Sequence, residues 1–400
     1  MPPLEVAIIG AGPSGLLAAD KLLGTATFES NIHLIEKSQS IGGIPSQYST
    51  VSPNSPFHDL YSFLMDLRAE EIFSDQGNKT ADKILQQAKT DPSLAHVASA
   101  FQLLWDDLLS KAHNSRLDFQ YGTTATKIIE LSNGQYHVEL LENIWDTSTL
   151  TVDVIISAIG GELSQNPYNG LCESEIDLKT ALDAHGSLFK EKKVVIVGAS
   201  HSAAIAFINA VNQGAKQIEV WYQNNAFREH RINGNNIKEY QFSGINEPTL
   251  SRLKKAMAQF SGRYQCKSVI DPQFNIQTTK EKYQEWCIVP ALGFKKPSLP
   301  FYALNGKVGQ LENITQGEHF LDCAPNLCYP GTNNPIPRIY GLGLAYPLEY
   351  TQNFLENTHE IPGAKIVGIY FTNELTKYLV PDILQNWPEH LIEQEDDELD

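Results

Sequence analysis

The chain has 400 residues, more than one hydrophobic core usually organises, so its length calls for two domains or one large domain with an insertion. With 42% hydrophobic and 19% charged residues it has an ordinary globular composition, and no apolar run approaches the ~20 residues that span a bilayer. A net charge of −17, with no lysine/arginine block to offset it, repels phosphate backbones and makes nucleic acid a poor partner. Five cysteines, at 172, 266, 287, 323 and 328, form no C-x-x-C pair and no alternating Cys/His spacing, so neither disulfides nor a structural metal are expected.

The apolar run Val6–Ile9 suits a parallel strand buried on both faces. It starts almost at Met1, leaving no room for a secretory segment, and a cytoplasmic location is expected. Gly10-Ala-Gly12-Pro13-Ser14-Gly15 follows directly and opens a helical pattern that runs to Leu23. Strand, glycine turn and helix in this order are the dinucleotide-binding arrangement: Gly10 permits the tight turn, Gly12 admits a pyrophosphate, and Gly15 lets helix and strand pack closely. The unpaired N–H groups and positive dipole end of the helix stabilise the anion without a lysine. A second strand, Asn31–Ile35, ends in Glu36, with Lys37 beside it, where a carboxylate can accept hydrogen bonds from the adenosine ribose hydroxyls.

Gly42-Gly43 gives a further place for backbone to lie against a cofactor. The segment after it offers Gln47, Asn54 and His58 as groups that can hydrogen-bond cofactor or substrate, although turn roles are commoner in so Asn/Ser/Pro-rich a stretch. Residues 60–100 carry helical patches interrupted by Gly77 and Pro92, consistent with a small helical insertion or lid, and a helix is predicted over Phe101–Ala112. The apolar run at 152–161 is predicted as a strand ending in the turn Ala158-Ile-Gly160.

Residues 192–210 repeat the opening pattern: an apolar run, then Gly198-x-Ser200-His201-Ser202-Ala203, then a helix. Serine and alanine at the second and third glycine positions leave a tighter phosphate turn, assigned to a nicotinamide nucleotide. His201 is a contact candidate, with surface exposure the expectation. The strand Gln217–Tyr222 ends in neither the acid that favours NADH nor an adjacent arginine; Arg228 and Arg231 lie just beyond, which tips the donor toward NADPH without settling it. A strand at 286–294 ends in Ala291-Leu-Gly293, and Pro337–Gly343 reads as a strand with a glycine turn at Gly341 and Gly343. Tyr346-Pro347 is a candidate cover for a substrate pocket or a plain loop end. A helix is predicted from Gly363 to Leu379, and the acidic residues 389–400 read as a solvated tail.

Taken in order, these motifs resemble the flavoproteins with two dinucleotide-binding domains: flavin-containing monooxygenases, N-hydroxylating monooxygenases and thioredoxin-reductase-like enzymes. Gly10 to Gly15, Glu36 and Gly42-Gly43 match that group's FAD site, and Gly198 to Ala203 is similar to its NAD(P)H turn. Ala158-Ile-Gly160 and Ala291-Leu-Gly293 stand where the group has alanine-threonine-glycine, both without the threonine. Gly341 and Gly343 resemble the segment that approaches the flavin. The resemblance implies an α/β fold of two three-layer Rossmann-like domains, the second inserted into the first. The FAD domain is expected at 1–165 and 316–400, and the NAD(P)H domain at 166–315.

It also implies an NAD(P)H-dependent FAD oxidoreductase, with NADPH or NADH as donor and a small organic substrate. Cys323 and Cys328 have C-x4-C spacing but lie far from the first glycine turn, which weighs against the disulfide-reductase branch. The Ser202 turn is similar to that of the flavin monooxygenases, whereas Lys295-Lys296-Pro297 replaces the His-Pro of the siderophore N-hydroxylases. Three readings stay open: a monooxygenase-like enzyme, a flavin reductase or dehydrogenase without oxygenation, and a catalytically degenerate flavoprotein acting as sensor or binding partner. A homodimer is compatible with all of them.

Overall fold

The computed structural model describes residues 3–25, 29–42, 75–90, 94–111, 116–142, 145–183, 186–223, 245, 247–272, 274, 276–313, 326–346, 348–349, 365–366 and 379–388. Gly43, Gln47, Asn54, His58, Arg228, Arg231, Cys323, Pro347 and the acidic tail lie outside the described residues. The described residues fall into two compact units, 3–161 with 296–388, and 162–295.

In the first unit, β1 (Leu4–Ile9) leads through the glycine turn into α1 (Pro13–Leu23) and then β2 (Ser30–Glu36). Two helices follow, α2 (Asp75–Thr90) and α3 (Leu94–Lys111). Gly77 does not interrupt α2, contrary to the sequence expectation. It sits in the first turn, where backbone groups lack intrahelical partners anyway and a glycine's entropic cost does least damage. Helix α3 starts well before the predicted Phe101 and buries Phe101, Leu104, Trp105 and Leu108, an i, i+3, i+4, i+7 stripe.

The chain continues through β3 (Leu117–Tyr121), β4 (Thr124–Glu130), β5 (Tyr136–Leu141), β6 (Thr147–Val152) and β7 (Val154–Ser157). After the second unit it returns as β15 (Pro300–Tyr302), β16 (Val308–Gln310), β17 (Glu312–Asn313), β18 (Asn326–Cys328) and β19 (Pro335–Gly341). The main sheet has the order β17-β18-β19-β7-β1-β2-β3, with β19, β7, β1, β2 and β3 running parallel. One of its faces packs on α1 and α3 around Val6, Ile8, Leu16, Leu34 and Leu104. The other face, with Ala7, Ile9, Ile155 and Ile339, meets a five-stranded sheet of order β16-β15-β4-β5-β6 through Ile128, Val138 and Phe301. Helices, parallel sheet and second sheet are the three layers.

The described residues 296–313, expected in the inserted domain, cluster with the first unit instead. Phe301 and Tyr302 pair in parallel with Ile128 and Ile129, so β15 extends the second sheet and β16 forms its edge. Arg338, held at a positive φ of 55°, donates from Nε to Asp153 O (3.0 Å), from Nη1 to Asn386 O (2.8 Å) and from Nη2 to Gly134 O (2.6 Å). It ties the last strand to a hairpin and to the helical residues 379–385. The helix expected over 363–379 is not what the described part shows at its start: β21 (Lys365–Ile366) pairs with β20 (Leu348–Glu349), while residues 379–385 are helical.

The second unit contains β8 (Glu162–Leu163), β9 (Ser174–Glu175), α4 (Leu178–Leu182), β10 (Lys193–Val197), α5 (His201–Asn212), β11 (Gln217–Tyr222), α6 (Glu247–Gln259), β12 (Tyr264–Ser268), α7 (Ile276–Tyr283), β13 (Trp286–Pro290) and β14 (Phe294–Lys295). Its sheet is parallel, in the order β12-β11-β10-β13-β9. Helices α5 and α6 pack on one another, while Val195, Val197, Trp221, Tyr283, Trp286 and Ile288 form a separate core cluster. No described helix is long and apolar enough to cross a membrane.

Candidate functional site

Both glycine turns lie at the carboxyl end of a strand flanked on each side by parallel strands, where doubly wound folds bind their ligands. In the first unit Gly10 has φ +108°, and a Cβ there would overlap the carbonyl oxygen of Ala158. Ala158 N in turn donates to Ile9 O (2.8 Å), so the predicted turn at 158–160 abuts the first glycine turn. A Cβ on Gly15 would overlap Gly10 O, so only glycine lets α1 pack this tightly on its strand. Gly12 differs, because among the described residues nothing lies within 4 Å of where its Cβ would be. No described residue therefore blocks the turn at the position expected to face a pyrophosphate.

Helix α1 begins with Pro13, whose missing N–H is one that a first helical residue leaves unpaired anyway, and no side chain caps its N-terminus. Glu36, at the end of β2, is 6% exposed; Oε2 accepts from Ala11 N and Oε1 from Ser38 N, each at 2.9 Å. The carboxylate braces the glycine turn, and each oxygen keeps a further lone pair for a ribose hydroxyl. Lys37 points outward and is exposed. Gly42 lies against the turn: a Cβ there would come within 2.8 Å of Gly12 Cα. From the far end of the chain, a Cβ on Gly343 would sit 2.7 Å from Ser14 Oγ. Segments distant in sequence, at 10–15, 36, 42 and 343, thus converge around one helix N-terminus.

Tyr346 holds the last of these segments. It is 3% exposed, its ring lies where a Cβ on Gly341 would clash, and its hydroxyl shares a 2.9 Å hydrogen bond with Ser157 Oγ. Burial pushes its phenol up to about 12, against the opposing hydrogen bond from Ser157. Tyr346 is therefore part of the packing beneath the turn and not a cover over a pocket. Lys296 Nζ lies 5.0 Å from the centre of the Tyr346 ring and donates to Leu311 O; burial lowers its pKa, opposed by the charge of Glu312. The sequence carried no sign of this trio, because its members are brought together only by the return of the chain.

In the second unit Gly198 has φ +121°, and a Cβ there would overlap Ala291 O. Gly198 N donates to Trp221 O (2.7 Å) and Ala291 N to Val197 O (2.8 Å), repeating the lattice of the first turn. Ser200 occupies the N-cap of α5 without a side-chain cap hydrogen bond. Ala203 is fully buried and finds room for the methyl group that Gly15 could not carry. His201 is 7% exposed, which overturns the expectation of a surface histidine: as the first residue of α5 it turns inward. Ser202 is half-buried beside it.

Strand β11 also carries a group that sequence reading missed. Glu219 has a fully buried side chain that binds Lys267 Nζ (2.8 Å), Lys282 Nζ (3.0 Å), Tyr283 Oη (2.5 Å) and Trp221 Nε1 (3.3 Å). Burial alone would raise its pKa, but the hydrogen bonds from Lys267, Tyr283, Lys282 and Trp221 outweigh this and hold the carboxyl below its ordinary value. A glutamate at an inward position of a buried strand was the available signal, since such a group survives only when paired. Cys172, Cys266, Cys287 and Cys328 are not in disulfides, and none of them lies at either glycine turn. Among the described residues no cluster of His, Cys, Asp and Glu could hold a metal ion.

The family model for pyridine nucleotide-disulphide oxidoreductases, a family that binds FAD and NAD(P)H, matches residues 4–240. No curated protein matches the sequence. Among solved structures, the bacillithiol disulfide reductase of Staphylococcus aureus is similar with a TM-score of 0.56, at 12% identity, covering 97% of this chain and 100% of that one. The corresponding reductase of Bacillus cereus gives 0.51 at 13% identity, covering 94% and 99%. The ornithine N-hydroxylase of Kutzneria sp. 744, with reduced FAD, NADP+ and L-ornithine, gives 0.58 at 12% identity, covering 96% and 99%. Likeness at such identities establishes the fold, which a thiol-disulfide enzyme and an oxygen-using enzyme here share.

Proposed function

Because this chain belongs to the pyridine nucleotide-disulphide oxidoreductase family, we propose that it is an FAD-dependent NAD(P)H oxidoreductase, monooxygenase-like, acting on a small organic substrate. The observation that carries this reading is the repeated geometry: two sheets, each with a glycine turn at the carboxyl end of a strand flanked by parallel neighbours and a helix without a side-chain cap behind it.

The residues of the first turn fit FAD. The open space at Gly12 and the N-terminus of α1 receive the pyrophosphate, with the helix dipole stabilising its charge. Glu36 accepts from the adenosine ribose while holding Ala11 in place. Gly42 and Gly343 let backbone approach the same helix N-terminus, and Tyr346, through Ser157, fixes the direction of the Gly343 segment. Gly43, Lys37, Asn54 and His58 remain proposed contacts on the strength of the sequence. Bound FAD supplies two-electron acceptance from a nicotinamide donor and delivery to an acceptor.

The second turn, Gly198 to Ala203, receives the nicotinamide nucleotide, with the N-terminus of α5 toward its phosphates. Strand β11 ends at Tyr222 and is followed by Gln223, and neither is a carboxylate that would repel a 2′-phosphate, which favours NADPH over NADH. The monooxygenase-like branch is preferred over the thiol branch because the four described cysteines lie away from both turns.

The branch is tested by reducing the flavin-loaded protein with NADPH without oxygen and then readmitting air. A monooxygenase-like protein withholds peroxide and, given a suitable substrate, consumes oxygen with product formation. Immediate peroxide release in stoichiometric amount, or indifference to oxygen with rapid reduction of another acceptor, would instead establish the reductase or dehydrogenase reading.

A further inference from the structure

Lys295 and Lys296 are neighbours at the point where the chain passes from the second unit into the first, yet they are held in different ways. Lys295 is exposed, and its Nζ pairs with Glu162 Oε1 (3.0 Å), its register partner across β8 and β14. Lys296 is half-buried, and among the described residues no carboxylate forms an ion pair with it. Its ammonium donates instead to the carbonyl of the buried Leu311 and lies 5.0 Å from the centre of the Tyr346 ring. Half-burying an ammonium costs solvation that a methionine of similar length would keep. What the cation adds at that place is attraction to the face of the ring.

Tyr346 carries this attraction to the first glycine turn. Ser157, at the end of β7, grips the returning chain twice: its backbone oxygen accepts from Leu342 N (3.0 Å), and its Oγ shares the 2.9 Å hydrogen bond with the Tyr346 hydroxyl. Gly343 lies between these two points, where a Cβ would sit 2.7 Å from Ser14 Oγ in the first turn of α1. Tyr346 N donates to Gly343 O (3.1 Å), so the ring and the glycine belong to one short turn. A cation anchored on Leu311 therefore holds the ring, and the ring holds the segment that lies against the helix N-terminus.

We propose that Lys296 is a positioning residue for the flavin, whose charge, through Tyr346, keeps the Gly343 segment at the N-terminus of α1 and slows the loss of FAD. The proposal rests on assigning the first glycine turn to FAD. Because the charge is the operative property, FAD retention follows the protonation of Lys296. Burial lowers the pKa of this lysine, opposed by the negative charge of Glu312; the other titratable group at its head is Tyr346, whose phenol burial pushes up to about 12. As pH rises, Lys296 gives up its proton before an ordinary lysine, at ~10.4, would do so, and its hold on the ring goes with it.

The test follows the release of FAD from the flavin-loaded protein after dilution, read as recovery of free-flavin fluorescence from about pH 7 to about pH 10. The native chain, Lys296→Met, Lys296→Arg and Lys295→Met are compared, with circular dichroism confirming the fold at each pH. Lys296→Met is expected to release FAD about tenfold faster at neutral pH, the scale of a desolvated cation–π contact, with little dependence on pH. The native rate is expected to climb toward the methionine rate as pH rises. Lys296→Arg, which stays charged throughout, is expected to keep the slow neutral rate and lose the alkaline climb. Lys295→Met is expected to match the native chain.

A native rate in Lys296→Met overturns the proposal. So does an arginine variant as fast as the methionine one, which would make packing rather than charge the cause, or an alkaline climb that persists in Lys296→Arg. The last comparison, native against arginine, decides alone if the methionine variant does not fold. A native chain that holds no FAD removes the assignment of the first turn itself.

Discussion

Gly15 and Ala203 stand at the same step of the two repeated units, and the difference between them separates a turn with no tolerance from one with some. In the first unit α1 presses so closely on Gly10 that a single methyl group would collide with backbone. In the second, α5 stands off far enough to bury the methyl of Ala203. The middle residue of the turn differs in the same direction: a Cβ on Gly12 would meet no described residue within 4 Å, whereas Ser200 brings a side chain. The first turn is also braced by Glu36 and reached by Gly42 and Gly343. Under the proposed function, the tight turn would serve a permanently held cofactor and the looser one a nucleotide that comes and goes.

Adding the missing methyl is the strongest way to break this contrast. Gly15→Ala is expected to cost about 3 kcal/mol, the upper range for overpacking, because the obstructing atom is backbone and cannot swing aside. Flavin content on purification and the thermal midpoint both report it. The reciprocal change, Ala203→Gly, is expected to cost only about 1 kcal/mol, the helix-propensity difference. Equal effects of the two substitutions would remove the distinction.

Next in size is Glu219, the fully buried carboxylate of the second unit. Glu219→Gln is expected to lower stability by about 2 kcal/mol, less than for a fully enclosed pair, because Lys267 and Lys282 reach solvent and can rehydrate. The sign of its pH dependence follows from its lowered pKa. Its contribution is complete above the ordinary glutamate value of ~4.3 and is lost as pH falls through the lower folded value. Acid titration of the melting temperature is thus expected to be flatter in the variant than in the native chain.

The first unit has a milder counterpart. Tyr346→Phe removes the hydroxyl shared with Ser157 and is expected to cost about 1 kcal/mol. It should loosen FAD measurably in an equilibrium dialysis assay while sparing nucleotide binding at the second turn. Smallest of all, Ser200→Gly gives the second turn the open face of the first and is expected to tighten NADP+ binding about threefold. Weaker binding would mean that the hydroxyl contacts the phosphate.

The same contrast explains what could be read from the sequence. The strand, turn and helix at Val6–Leu23, the acid at Glu36 and the worn copy at Gly198–Ala203 are local patterns, and each appears in the structure where the spacing put it. What escaped depended on distant parts of the chain. Residues 300–310 are short strands whose identity comes from pairing with β4, so nothing local assigned them to the first unit. His201 looks like a loop residue beside glycine and serine, and its burial follows from how α5 lies on the sheet. Tyr346, Arg338 and Glu219 are held by partners between 48 and 204 positions away in the chain, Glu219 with Trp221 close by in addition.

The account stands on the claim that the two turns hold an electron acceptor and its donor in one protein. The most direct measurement is anaerobic mixing of the purified, FAD-containing chain with NADPH, and separately NADH, while the visible band of the oxidised flavin is followed. Bleaching by NADPH, faster than by NADH, is the predicted result. A chain that carries FAD yet is bleached by neither nucleotide would contradict the assignment of the second turn, and a chain that retains no flavin would contradict that of the first.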